Sequence, residues 1–206
     1  HQSEYIEDYF KVREFLSGFN GSAGTLVVTM QEAGLWTDSR YYLQATQQLL
    51  GSEIILFKEG LSTTPSIVSF LCKKLSFGSV VAIDSFCFSV NKVIELESEF
   101  KKYGLSLCLS FEDLERIWSR RPELSDKEIF VHDEKYAGES AVLKIDKVRD
   151  CMNRNSADSF IVSALDEIAW LLNVRGDDVD YNPVVRAYVI ITTDSCVLFV
   201  DENKLK

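Results

Sequence analysis

The chain has 206 residues, 46% of them hydrophobic and 12% aromatic, with a formal net charge of −10. That composition is ordinary for a globular protein and allows one large domain or two small ones. The 22 Lys and Arg are scattered, which argues against a nucleic-acid partner, and no apolar run reaches the roughly 18 residues of a membrane span.

In chain order, Tyr9 to Leu16 is expected to be helical, with Phe10, Phe15 and Leu16 as its apolar positions, and Ser17-Gly18 ends it. "GFNGSAG" reads as a loop, because its glycines allow backbone geometry that other residues resist. Thr25 to Met30 is β-rich, and Gln31-Glu32-Ala33-Gly34 turns it into a hairpin with Leu35-Trp36-Thr37. A helix over Tyr41 to Leu50 and a strand buried on both faces over Ile54 to Phe57 follow. Next come a helix near Pro65, a strand at Val80 to Ile83, a helix at Val90 to Phe100, a strand at Leu105 to Leu109 and a helix over "FEDLERIW". Such alternation predicts a largely parallel sheet between helices.

Ser119 to Lys135 loses periodicity and is the candidate linker. Beyond it, Ala141, Ile145, Val148 and Met152 form one helix face, and Ser159 to Val162 form a strand. Ser163 with Asp166 reads as a capping box for a helix that buries Ile168, Trp170 and Leu171. Pro183 ends the next loop before a strand at Ala187 to Thr192. The order helix, Gly/Asn loop, strand, turn, strand, Asp thus occurs twice, from Glu14 to Tyr41 and from Ala169 to Lys204. Two similarly folded units in tandem are expected. The second is preceded by a helix and a strand for which the first has no room, so the chain is expected to be a piece of something larger.

Candidate chemistry is sparse. No Lys follows "GFNGSAG" and a strand comes next, so a structural turn is preferred to a phosphate loop. His132-Asp133-Glu134 reads as solvated linker, since adjacent residues rarely reach one metal. Asp177, Asp178 and Asp180 lack EF-hand spacing, and with two His in the chain a triad is not expected. The cysteines (Cys72, Cys87, Cys108, Cys151 and Cys196) are odd in number and unpaired in spacing. They read as small buried hydrophobes of a reducing compartment. With no signal peptide visible, the cytoplasm is the expected location.

"HQSEY", "REFLSGFNGSAGT", "LWTDSRYYLQA", "ERIWSRRPELS", "KYAGES" and above all "ALDEIAWLLNVRGDDVDYNPV" resemble Xaa-Pro aminopeptidases of the creatinase/prolidase superfamily, in their long three-domain form. The resemblance implies α/β units of the creatinase/prolidase N-terminal type, three-layer α/β/α in tandem, each with a mixed sheet and hairpin. It places a first domain over residues 1–125, without its opening helix and strand, and the front half of a second over 126–206. A catalytic domain of the pita-bread type, holding two divalent ions, usually manganese, is then absent, and no metal is expected on this piece. The implied activity is removal of the first residue from peptides with proline second. This region would serve homodimer assembly and substrate access. Arg40, in "WTD-x-RY", is the one implied substrate contact; simple pairing with Asp38 is the plainer alternative. A catalytically inactive creatinase-like module that binds protein partners is the second reading. A related dipeptidase or creatinase is the third, weaker because those proteins have one such domain.

Overall fold

A computed structural model describes residues 6–110 and 114–205. The chain divides into two compact units, Phe10–Arg121 and, discontinuously, Tyr5–Tyr9 with Pro122–Lys206.

The expected opening helix is broken at Lys11 into a 3-10 turn over Asp8–Phe10, at the boundary between the units, and α1 (Val12–Ser17) of the first unit. Gly18 ends α1 in the left-handed region, φ 72°, and donates its N–H to the Glu14 carbonyl. Strands β1 (Thr25–Val28) and β2 (Ala33–Thr37) pair antiparallel. The turn is tighter than expected because Thr29 closes it, its N–H and hydroxyl both donating to the Glu32 carbonyl at 2.9 and 3.0 Å. Ala33 and Gly34 therefore belong to the strand. Helix α2 (Tyr42–Gln48) returns the chain to β3 (Ile54–Lys58), parallel to β2 with Leu35 opposite Leu56. β3 lies at the sheet edge and leaves Ile55 exposed, so it is not buried on both faces as expected.

β2 is the buried strand. Leu35 enters a core with Phe19, Ala45 and Leu49, and Trp36 enters a separate one with Phe70, Leu71, Leu96, Phe100 and Leu105. Those residues come from α3 (Ile67–Lys74), α4 (Val90–Lys101) and, for Leu105, the position just before the next strand. The Trp36 ring stacks on Phe57 at 4.0 Å, and its N–H donates to the Pro65 carbonyl at 2.9 Å. Ser66 and Ser89 start α3 and α4 by accepting the Ser69 and Lys92 N–H groups. A parallel pair, β4 (Val80–Ala82) and β5 (Ser106–Cys108), flanks α4. The last helix, α5 (Leu114–Ile117), is shorter than "FEDLERIW", whose residues 111–113 lie outside the described residues. Trp118, just past it, stacks on Phe15 at 4.5 Å and 7°.

The second unit holds β6 (Phe130–Val131), α6 (Glu134–Ala137), α7 (Ala141–Arg154), β7 (Ser159–Val162), α8 (Leu165–Leu172), β8 (Val174–Arg175), β9 (Tyr188–Thr192) and β10 (Cys196–Phe199). Its sheet runs β10-β9-β7, and β6 pairs with β8; all these pairings are antiparallel. Unlike the parallel pairs β2–β3 and β4–β5 of the first unit, β7 and β9, which α8 connects, run in opposite directions. Met152, Val162, Ile168, Leu171, Val189 and Ile191 form the core.

Three further expectations are corrected. The helix N-cap falls on Ala164, not Ser163, and carries no side-chain bond, so the Ser163 capping box does not form. Asp166 and Glu167 in the first turn offset the exposed N–H groups instead. Trp170 is 53% exposed, its ring lying under the Lys144 ammonium at 4.5 Å. Cys87 and Cys151 are exposed and the other three thiols half-buried, and none of the five forms a disulfide.

Buried charge organises this unit. Lys204 (0% side-chain exposure) donates to Asp178 (1%) at 2.5 Å, and the other Asp178 oxygen accepts the Arg186 N–H at 2.7 Å. Glu7, also buried, accepts from Arg186 Nε at 2.7 Å and from the Ser125 N–H at 3.0 Å. Buried Lys144 donates to the Trp170 carbonyl and to Asn173 Oδ1, capping the end of α8.

A buried charge left alone is costly, whereas removing both partners is often tolerated. Lys204→Met should destabilise the second unit by about 3–5 kcal/mol in a denaturant titration. Adding Asp178→Asn, which keeps the acceptor for Arg186, should recover much of that loss. A double variant no more stable than the single one would contradict this account.

Candidate functional site

The end of β2 is where the first unit brings polar groups together. Thr37 is buried and donates to the Ala23 carbonyl at 2.7 Å, tying the strand to the glycine loop. Asp38 then caps a 3-10 turn over Ser39–Tyr41 by accepting the Arg40 N–H at 3.0 Å. The Arg40 side chain folds back onto the same carboxylate, Nε to Oδ1 at 3.0 Å and Nη2 to Oδ2 at 2.8 Å. The Arg40 side chain is 61% exposed, and its guanidinium lies over the Tyr41 ring at 5.2 Å. That two-pronged bond holds the Asp38 carboxyl below the usual carboxylate range, with the Arg40 N–H adding to the effect.

The mount beneath Arg40 is rigid. Tyr41 shares a 2.6 Å bond with Ser22 and meets Phe19 edge-on. Arg13 reaches from α1 under the loop, donating to the Gly24 carbonyl at 2.7 Å and to the Gly21 carbonyl, with Phe19 against its guanidinium. Its Nε is buried without a partner, and burial pulls the guanidinium pKa down. Gly21 cannot be larger: a Cβ there would sit 2.3 Å from the Phe19 ring and 2.8 Å from Tyr41. On the far side, Asn20 is bound by Gln44 and Gln48 of α2. Neither this clamp nor the role of Arg13 carried a sequence signal, because the partners lie 8 to 28 residues apart.

The other sequence candidates are occupied structurally. Asp133 N-caps α6 and pairs with Lys135 at 3.0 Å. Asp178 is committed to Lys204 and Arg186. Among the described residues no three His, Cys, Asp or Glu gather as a metal site. The arrangement offers one exposed guanidinium on a fixed base and no acid–base or nucleophilic pair.

A model of the Creatinase/Prolidase N-terminal domain matches residues 11–115, and a second of the same description matches 120–206. The chain belongs to that family. It is 43% identical over 208 residues to the Xaa-Pro aminopeptidase ApepP of Drosophila melanogaster, covering all of this chain and 34% of the relative. With Aminopeptidase P1 of Arabidopsis thaliana the identity is 40%, across all of this chain and 32% of the relative. The crystal structure of the X-prolyl aminopeptidase from Caenorhabditis elegans, described as a cytosolic enzyme with a di-nuclear active site, matches at TM-score 0.88 and 33% identity. That match covers 99% of this chain and 33% of the other. This chain therefore spans about a third of the length of its curated relatives.

Removing Arg40 should release the Asp38 carboxyl. In the Arg40→Ala variant its titration midpoint, followed by carboxyl-carbon NMR, should rise toward the ordinary Asp range. The sign follows from linkage: a carboxyl held low stabilises the fold above the ordinary Asp pKa and loses that contribution as pH falls through its own lower midpoint. An unmoved midpoint would mean that the fork is not formed in solution.

Proposed function

We propose that this chain is the non-catalytic N-terminal region of a metal-dependent Xaa-Pro aminopeptidase, which removes the first residue from peptides with proline in second position. The observation that carries the reading is similarity over the whole chain, in order, to the N-terminal third of such enzymes. In the proposed whole enzyme the region serves homodimer assembly in the cytoplasm and shapes substrate access. Among the described residues, no helix is long and apolar enough to cross a membrane.

A pair of divalent ions, manganese in this proposal, would polarise the scissile carbonyl and lower the pKa of the attacking water. The described residues do not fit that group, since they gather no ligand set and Asp178 is already neutralised by Lys204. No catalytic step is therefore assigned to them. The proposed contribution is Arg40, whose planar fork suits a peptide carbonyl or C-terminal carboxylate. Exchanging Asp38 for such a group would cost little, because an exposed pair contributes under about 1 kcal/mol.

Two measurements test this. The 206-residue chain should release nothing from an Xaa-Pro-Pro peptide with or without manganese, and manganese-dependent turnover by it would overturn the assignment. In the full-length protein, Arg40→Ala should lower kcat/KM about ten- to a hundredfold, the loss of one charge-assisted hydrogen bond, with the melting temperature nearly unchanged. Unaltered kinetics would reduce Arg40 to a partner of Asp38.

A further inference from the structure

We infer that Asn20 is a deamidation site whose own neighbours accelerate its conversion to an acidic residue. Asn20 is exposed and precedes Gly21, the one Asn-Gly step in the chain. The orientation of its amide is fixed by a donor that cannot be reversed. The backbone N–H of Asn20 donates to Gln48 Oε1 at 3.3 Å, so the other end of that amide, Nε2, is the atom 2.7 Å from the Asn20 side chain. Its partner must be the acceptor, Oδ1. Gln44 Nε2 donates to the same oxygen, also at 2.7 Å.

Two N–H donors on one side-chain carbonyl oxygen have the geometry of an oxyanion hole. Solvent hydroxide removes the Gly21 amide proton, for which the described residues provide no acceptor. The nitrogen attacks Asn20 Cγ, forming the N–Cγ bond and moving the carbonyl pair onto Oδ1, where Gln44 and Gln48 hold the negative charge. Collapse breaks Cγ–Nδ2, and the nitrogen leaves as ammonia with a proton from water, regenerating hydroxide. Water then opens the succinimide to aspartyl or isoaspartyl at position 20. The isoaspartyl form lengthens the backbone beside Gly21, whose carbonyl Arg13 holds and whose Cα faces Phe19 and Tyr41.

The test incubates the intact chain at mildly alkaline pH and follows the peptide from Glu14 to Arg40, which contains no other Asn, for the mass gain of amide-to-acid exchange. The native chain should convert about tenfold faster than the same chain unfolded in urea, the effect of donors to a developing charge. Gln44→Ala/Gln48→Ala should bring the native rate down to the unfolded one. Gln44→Ala alone, which keeps the Gln48 bond to the Asn20 backbone, should fall part of the way and serves should the double variant not fold. A native rate equal to or below the unfolded rate, or variant rates equal to the parent's in folded protein, would overturn the inference.

Discussion

Burial of β2 on both faces is the constraint from which the first unit follows. Leu35 and Trp36 are neighbours in sequence and point into different cores, so helices must cover both sides of the sheet. A strand enclosed in this way has no face for polar chemistry. Polar groups collect where it ends, at Thr37, Asp38 and Arg40, and the glycine loop is drawn there to satisfy them. Trp36, stacked on Phe57 and edge-on to Phe70, fixes the strand's height between its helices.

The second unit solves a different problem. Its segment from Gly176 to Arg186 has little regular structure, yet its backbone must still be satisfied. Asp178 does this by serving Arg186 and Lys204 together, while Glu7 receives the Arg186 side chain. Charges make poor glue, since desolvation offsets most of the attraction, but they demand one geometry. That specificity is what a loop without a ladder needs, and it lets Tyr181 stand fully exposed at φ 63°.

Much of this was legible in the sequence because it is local. The β1–β2 and β9–β10 hairpins and the apolar face of α7 all rest on neighbours within a few residues. What escaped was set by distance or direction. Nothing around Ser163 reveals that the helix starts one residue later than a capping box requires. Nothing near Trp170 shows that a lysine 26 residues away will hold its carbonyl and ring, leaving the other face in water. The sheet direction of the second unit depends on how the chain returns from α8, which periodicity does not encode. Arg40 was visible as a motif residue, whereas the Arg13 clamp that steadies its mount was not.

The division of the second unit has a kinetic meaning. Glu7 meets Ser125 across 118 residues and Arg186 across 179, separations that an unfolded chain closes slowly. The stacking of Phe15 on Trp118 shortens the search, because it brings the entry and exit of the first unit together. The first unit is in effect an insertion between two strands of thread that must meet, and once folded it delivers them side by side. A lesion at the Phe15–Trp118 staple should therefore slow the joining of Glu7 to Ser125 and Arg186.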